Sequence, residues 1–259
     1  MMSDATTPRQ RRLTRARGAA YLAGLLPALV AGCLPAAAEP LRAVLELYTS
    51  QGCAVCPPAE HYLGDLARRP GILALTFPVT YWDYLGWKDT LGHSLFTERQ
   101  RGYASGRGEV RVYTPALVVN GGATLPGDNR AGIERIVQEA RAGTGLRVPV
   151  RSEEQGDRIV VEVDADPNPP GRADVWLVPL LRSRAVTVER GETKGRVAAY
   201  VNVVRGLYRL GAWTGQAARF EAPRSAVRVG EADTYAVLVQ GALGGRPGRI
   251  WGAAKGPGL

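Results

Sequence analysis

Two cysteines, Cys53 and Cys56, sit where a strand-like run meets a helix-like one, and that junction limits the folds open to the chain. Before the pair, AVLELY reads as a buried strand. After it, PPAEHYLGDLARRPG puts Tyr62, Leu63 and Leu66 on one helical face, with Pro57 or Pro58 suited to its first turn and Gly71 to its end. ILALTFPVTYW is a second strand-like run, and about Asp89 to Ser105 is helical in pattern but polar. RVYTPALVVNG follows as a strand entered through a proline, then GIERIVQEARAG as a short helix ending in glycine. This alternation predicts an α/β domain with one covered sheet.

After Gly145 the alternation stops. Short β-rich runs such as RIVVEVDA, ADVWLVPLL, AVTVERG, RVAAYVNVV and TYAVLVQG alternate with turn residues, a spacing that suits an all-β sandwich of roughly 100 residues. The expected organisation is therefore an α/β domain over residues 39–145 and a β-sandwich over 146–259.

The first 38 residues read as an export leader. A basic stretch ending at Arg17 precedes the apolar AAYLAGLLPALVAG, and Ala36-Ala37-Ala38 offers small residues for cleavage before Glu39. The leader holds five arginines against Asp4, so its removal leaves +5 of the formal +9. That remainder is too diffuse for a nucleic-acid footprint, and no basic cluster interleaves with aromatics. Cleavage would leave Cys53 and Cys56 as the sole cysteines and no transmembrane span. The alternative is VAGC, Val30 to Cys33, which resembles a lipoprotein site and would anchor the chain through Cys33. Either route predicts a periplasmic or secreted protein in an oxidising compartment.

A Cys-x-x-Cys pair can be a staple, half of a metal site or a reactive dithiol. Structural zinc needs two further soft ligands, and besides Cys33 only His61 and His93 are available. A copper site using the pair and a histidine stays open. A loop closed over two residues constrains the unfolded chain little and makes a poor staple. Its place before a helix favours redox chemistry: free backbone N–H groups and the positive dipole end would stabilise a thiolate on Cys53. Cys53 is then the exposed, attacking sulfur and Cys56 the resolving one.

Strand, Cys-x-x-Cys, helix and a later Thr114-Pro115 opening a strand together resemble the thioredoxin superfamily. That resemblance implies a cis Pro115 beside the dithiol, with the Thr114 backbone pairing with a bound substrate. VLELYTSQGCAVCPPAE, YWDYLGWKD, FTERQRGYA, VYTPALVVNG and RGETKG followed by NVVR also resemble the DUF1223 family of exported bacterial proteins. The fold class this implies is an α/β thioredoxin-like domain followed by an all-β sandwich-like domain. Gly52 and the Ala54-Val55 filling depart from thioredoxin's own Trp-Cys-Gly-Pro-Cys, so a general cytosolic reductase is not implied.

Glu46 stands roughly where thioredoxins keep a buried acid for the resolving cysteine's proton, although strand alternation leaves a solvent-facing side chain equally open. Trp82, Asp83, Trp87, Lys88 and Asp89 form an aromatic, charged patch that reads as a packed helix entry capped by Asp83 or as a substrate groove. RGETKG reads as a hairpin turn or an interdomain contact. The expected function is an exported thiol–disulfide oxidoreductase acting on extracytoplasmic protein or thiol substrates, with no metal or organic cofactor implied because the sulfurs carry the electrons. A non-enzymatic protein-binding module and a Cu(I)-handling protein are the alternatives.

Overall fold

The computed structural model describes residues 40–143 and 145–259. The leader over 1–38, its cleavage after Ala38 and the lipid site at Cys33 lie outside the described residues.

The N-terminal elements follow the expected order: β1 (Ala43–Thr49), α1 (Pro57–Ala67), β2 (Ile72–Pro78), α2 (Ser94–Gly106), β3 (Ala116–Val119), β4 (Ala123–Pro126) and α3 (Arg130–Ala142). The strands that follow are β5 (Val150–Gln155), β6 (Arg158–Val163), β7 (Ala173–Thr187), β8 (Val197–Val204), β9 (Tyr208–Trp213), β10 (Ala218–Pro223), β11 (Thr234–Leu243) and β12 (Arg246–Lys255).

The strands do not divide into a thioredoxin-like α/β domain and a separate sandwich. One mixed sheet of nine strands runs β12-β11-β7-β8-β2-β1-β3-β4, with β9 also paired to β7. Two features overturn the expectation. ADVWLVPLL and AVTVERG were expected as separate runs, but they join in the 15-residue strand β7. Its first half pairs with β11 and β9, and its second half with β8. In addition, β8 docks in parallel on the free edge of β2, with Thr76 opposite Val203. The Thr76 hydroxyl donates to the Val201 carbonyl at 2.6 Å, and the Asn202 amide donates to the Ala74 carbonyl at 2.9 Å. Every residue of β2 is buried. Such a strand needs cover on both faces and partners on both edges, and β1 supplies only one edge.

Side-chain alternation along β1 sorts the layers. Ala43, Leu45 and Leu47 pack with Leu63 and Leu66 of α1 and Ile133 and Val137 of α3. Val44 and Tyr48 point the other way, into a cluster with Phe96 and Tyr103 of α2 and Val178 and Leu238 of β7 and β11. A three-stranded sheet, β10-β6-β5, covers the remaining face of β7 and β11 through Ile159, Val161, Val175 and Val237. A sandwich is therefore present, but one of its two layers belongs to the large sheet. No helix among the described residues is long and apolar enough to cross a membrane.

Candidate functional site

Cys53 and Cys56 form a disulfide in the turn between β1 and α1. Both are buried, Cys53 at 3% exposure and Cys56 at 0%, so the expected contrast between an outer and an inner sulfur is slight. Solvent meets Ala54 and Val55 instead, the latter 67% exposed. Cys56 is the N-cap residue of α1, and Pro57 and Pro58 fill the first two helical positions. Prolines carry no N–H. The next two amides, of Ala59 and Glu60, donate to the Cys56 carbonyl. The free helix-terminal donors expected to favour a thiolate are therefore missing, and only the dipole remains.

The turn is held from several segments. Gln51, buried just before it, is the hub. Its amide donates to Asp89 Oδ2 at 2.8 Å, and its side-chain oxygen accepts the Trp87 indole N–H at 2.7 Å. Its carbonyl accepts the Thr193 hydroxyl at 2.8 Å. Trp82 packs against Gly52, where a Cβ would lie 3.2 Å from the Trp82 Cβ, and its indole N–H donates to the Thr114 hydroxyl at 2.7 Å. It thereby joins the cysteine turn to the Thr114–Pro115 segment. Asp83 accepts the Asp89 amide at 3.1 Å and caps a loop rather than a long helix.

The Thr114–Pro115 peptide bond is cis. Pro115 lies against the first turn of α1 across Gly127. A Cβ on Gly127 would fall 2.9 Å from Pro115 Cβ and 3.0 Å from Ala59 Cβ, so the position admits only glycine without displacing both. Thr114 precedes the β3 ladder, which begins at Ala116, and its amide and carbonyl stay outside those pairings. Tyr84, 76% exposed, stacks on Trp82 at 6.3 Å and extends an apolar surface from the turn.

Asp89 is buried, and burial holds its carboxyl above the usual range against the pull of the Gln51 and Leu91 amides. A buried carboxyl with a raised folded-state pKa is worth most to the fold when protonated, so its contribution falls as pH rises through that value. Asp89→Ala strands two amides. It is expected to lower stability by about 2 kcal/mol in chemical denaturation and to speed reduction of the disulfide by dithiothreitol.

Glu46 is placed away from this site. It shares the α2 face of β1 with Val44 and Tyr48, while α1 packs on the opposite face. Its carboxylate is fully buried and meets the Arg99 guanidinium at 2.6 Å. Arg99 also donates to the Tyr103 hydroxyl and to Gln240. The solvent-facing direction that alternation left open for Glu46 leads under α2 and not into solvent.

The carboxylate nearest the cysteines in the hydrogen-bond network is Glu60, on α1. One oxygen accepts the Thr49 hydroxyl at 2.6 Å, and the other pairs with Arg196. Arg196 also donates to the Cys53 carbonyl at 2.7 Å. Sequence reasoning singled out RGETKG without locating it. Thr193 within it, and Arg196 directly after it, reach the cysteine turn from the loop that leads into β8. Gly191 makes the approach possible: at φ +77°, a Cβ there would lie 2.7 Å from the Leu85 carbonyl oxygen. The histidines take other roles. His93 accepts the Leu95 amide at the start of α2, and His61 is exposed on α1 beside the Pro57 carbonyl. Among the described residues, no three His, Cys, Asp or Glu side chains gather as metal ligands.

Comparison with solved structures finds two similar chains. Protein AGR_C_4864 from Agrobacterium tumefaciens shares 35% identity at a TM-score of 0.77, over 86% of this chain and 97% of that one. HBP35 of Porphyromonas gingivalis shares 9% identity at 0.54, over 83% and 74%, a likeness of fold alone. No curated protein matches the chain. The family described as protein of unknown function (DUF1223) matches residues 44–240, a span that takes in β1, the cysteine turn, the Trp82–Asp89 loop, Thr114–Pro115 and the Thr193–Arg196 loop. With that match across most of its length, the chain belongs to the DUF1223 family.

Proposed function

We propose that the protein is an exported thiol–disulfide oxidoreductase that exchanges electrons with extracytoplasmic protein or thiol substrates through Cys53 and Cys56. The observation that carries this reading is the effort spent on a turn too short to be a useful staple. Trp87, Thr193 and Arg196 donate to Gln51 and Cys53, and Asp89 accepts the Gln51 amide. The exposed Val55 and Tyr84 and the Thr114 backbone border the same turn and offer a peptide apolar contact and main-chain hydrogen bonds.

In the oxidising direction, a substrate thiolate attacks Cys53 Sγ, the S–S bond breaks and Cys56 leaves as a thiolate. A second substrate thiol then attacks the mixed disulfide and releases Cys53. The substrate gains a disulfide, and two electrons and two protons pass to the pair. The reducing direction is the same sequence reversed, with Cys53 attacking and Cys56 resolving.

Cys56→Ser in the full chain is expected to accumulate Cys53-linked mixed disulfides with extracytoplasmic proteins, detected by non-reducing electrophoresis and mass spectrometry. Cys53→Ser is expected to trap far fewer. If Cys56→Ser traps nothing and the native pair never cycles with a dithiol substrate, the disulfide is a fixed part of a binding surface and the exchange reading fails. Mass spectrometry of the exported chain tests its route: an N-terminus at Glu39 is expected, and a lipid-modified Cys33 would replace it with the anchored form.

A further inference from the structure

We propose that the Arg196–Glu60 ion pair sets the asymmetry of the dithiol, with Arg196 favouring a thiolate on Cys53 and Glu60 restraining that effect. The inference rests on the exchange reading above, and it makes Arg196 and Glu60 positioning residues that act on the sulfurs by charge. Reduction of the disulfide leaves two sulfurs, and exchange needs one of them as a thiolate. Burial does not select it, because 3% and 0% exposure are nearly equal. The helix terminus offers little help, because Pro57 and Pro58 remove its first two donors.

A side chain takes that place. Arg196 Nη1 donates to the carbonyl of Cys53, which fixes a full positive charge beside that residue. Its side chain is only 14% exposed, so solvent screens the charge weakly. Its Nε is buried without a partner among the described residues and remains available to an anion that forms on reduction. Glu60 binds that same guanidinium, and its other carboxylate oxygen accepts the Thr49 hydroxyl. Its amide donates to the Cys56 carbonyl, and its carboxylate is 3% exposed. The guanidinium favours an anion on Cys53, and the carboxylate bound to it subtracts from that pull.

The remaining titratable groups about the turn have other partners. Asp89 holds the Gln51 and Leu91 amides, His61 faces solvent, and burial together with the Glu60 and Asp89 charges keeps the Tyr200 hydroxyl protonated.

The test uses the full chain carrying Cys33→Ser and Cys56→Ser, in which Cys53 is the lone thiol. The ultraviolet absorbance of its thiolate, followed against pH, reads its pKa. Arg196→Met is expected to raise that pKa by about one to two units, and Glu60→Gln to lower it by about one. Arg196→Lys keeps the charge and is expected to stay within about half a unit of the parent. In the reciprocal Cys33→Ser, Cys53→Ser chain, Cys56 is expected to titrate at least about one unit above Cys53. A merely structural role would loosen the turn in both variants and move both toward the ordinary cysteine value of about 8.5. Shifts of the same sign, or none in either variant, overturn the proposal. If Arg196→Met does not fold, Glu60→Gln decides alone by whether the Cys53 pKa falls. Client trapping is read separately. Opposite shifts without trapped mixed disulfides uphold the charge device and remove the exchange reading, whereas trapping without shifts does the reverse.

Discussion

Arg99→Met is expected to destabilise the protein by about 3–5 kcal/mol, the scale for removing one partner of a buried ion pair. Glu46 has 0% side-chain exposure and Arg99 7%, so the carboxylate left behind has no route to water. The guanidinium also lies 5.5 Å from the centre of the Phe77 ring and 5.2 Å from that of Tyr103, and those contacts go with it. Adding Glu46→Leu to Arg99→Met is expected to recover most of the loss, because neither charge then remains buried. Gln240 keeps the bonds its amide donates to the Tyr103 hydroxyl at 2.6 Å and the Gly248 carbonyl at 2.7 Å, but its side-chain oxygen loses the Arg99 donor, which limits the recovery. Urea denaturation with the disulfide intact measures both. The folded double variant should exchange thiols at the parent rate, because Glu46 lies across the sheet from α1. A loss of exchange in a folded Glu46→Leu, Arg99→Met chain would return Glu46 to the role of proton carrier.

The second large effect is expected at Gly191. An alanine there combines a left-handed backbone with a Cβ 2.7 Å from the Leu85 carbonyl oxygen and 3.2 Å from the Trp87 amide nitrogen, both of them backbone atoms that cannot swing aside. The strain, of order 1–2 kcal/mol for φ alone with the clash added, is expected to lower stability by about 3 kcal/mol. The loop would withdraw, and Thr193 and Arg196 would lose their bonds to Gln51 and Cys53. Two net hydrogen bonds of about 1 kcal/mol each correspond to a roughly thirtyfold rise in the opened turn. Dithiothreitol should reduce the disulfide faster by that factor. Unchanged reduction kinetics in a folded Gly191→Ala chain would mean that this loop does not shield the turn.

These two positions mark where sequence reasoning reached and where it stopped. The cis form of Thr114–Pro115 was implied by family resemblance and not by the local X-Pro. β1, the cysteine turn and α1 were readable because each rests on signals within a few residues: an apolar run, a Cys-x-x-Cys, a proline pair. The β-rich runs after Gly145 were readable for the same reason. Their partners were not, because an apolar strand does not say which edge it will join. RSR between ADVWLVPLL and AVTVERG looked like a break, and β7 passes straight through it. The missing half of the site has the same origin. Thr193 and Arg196 sit 142 and 143 residues from the groups they bind, a pairing set by the β2–β8 seam and written nowhere near the cysteines. The loss of helix donors at Pro57 and Pro58 was open to reading, since the prolines that suit a first turn also remove its N–H groups.

The β2–β8 seam also sets an order of events for a chain made from its N-terminus. β1, β2 and the cysteine turn emerge early, but the hydroxyl of Thr76 waits for a carbonyl 125 residues downstream. Until then β2, apolar except for Thr76, carries an open edge, and the thiols lack Thr193 and Arg196. Closing a loop of that length is slow, and an unpaired edge can recruit other chains meanwhile. The nascent protein therefore passes through a period in which its cysteine turn lacks the loop that later bonds to it, and a chain stopped before β8 never leaves it.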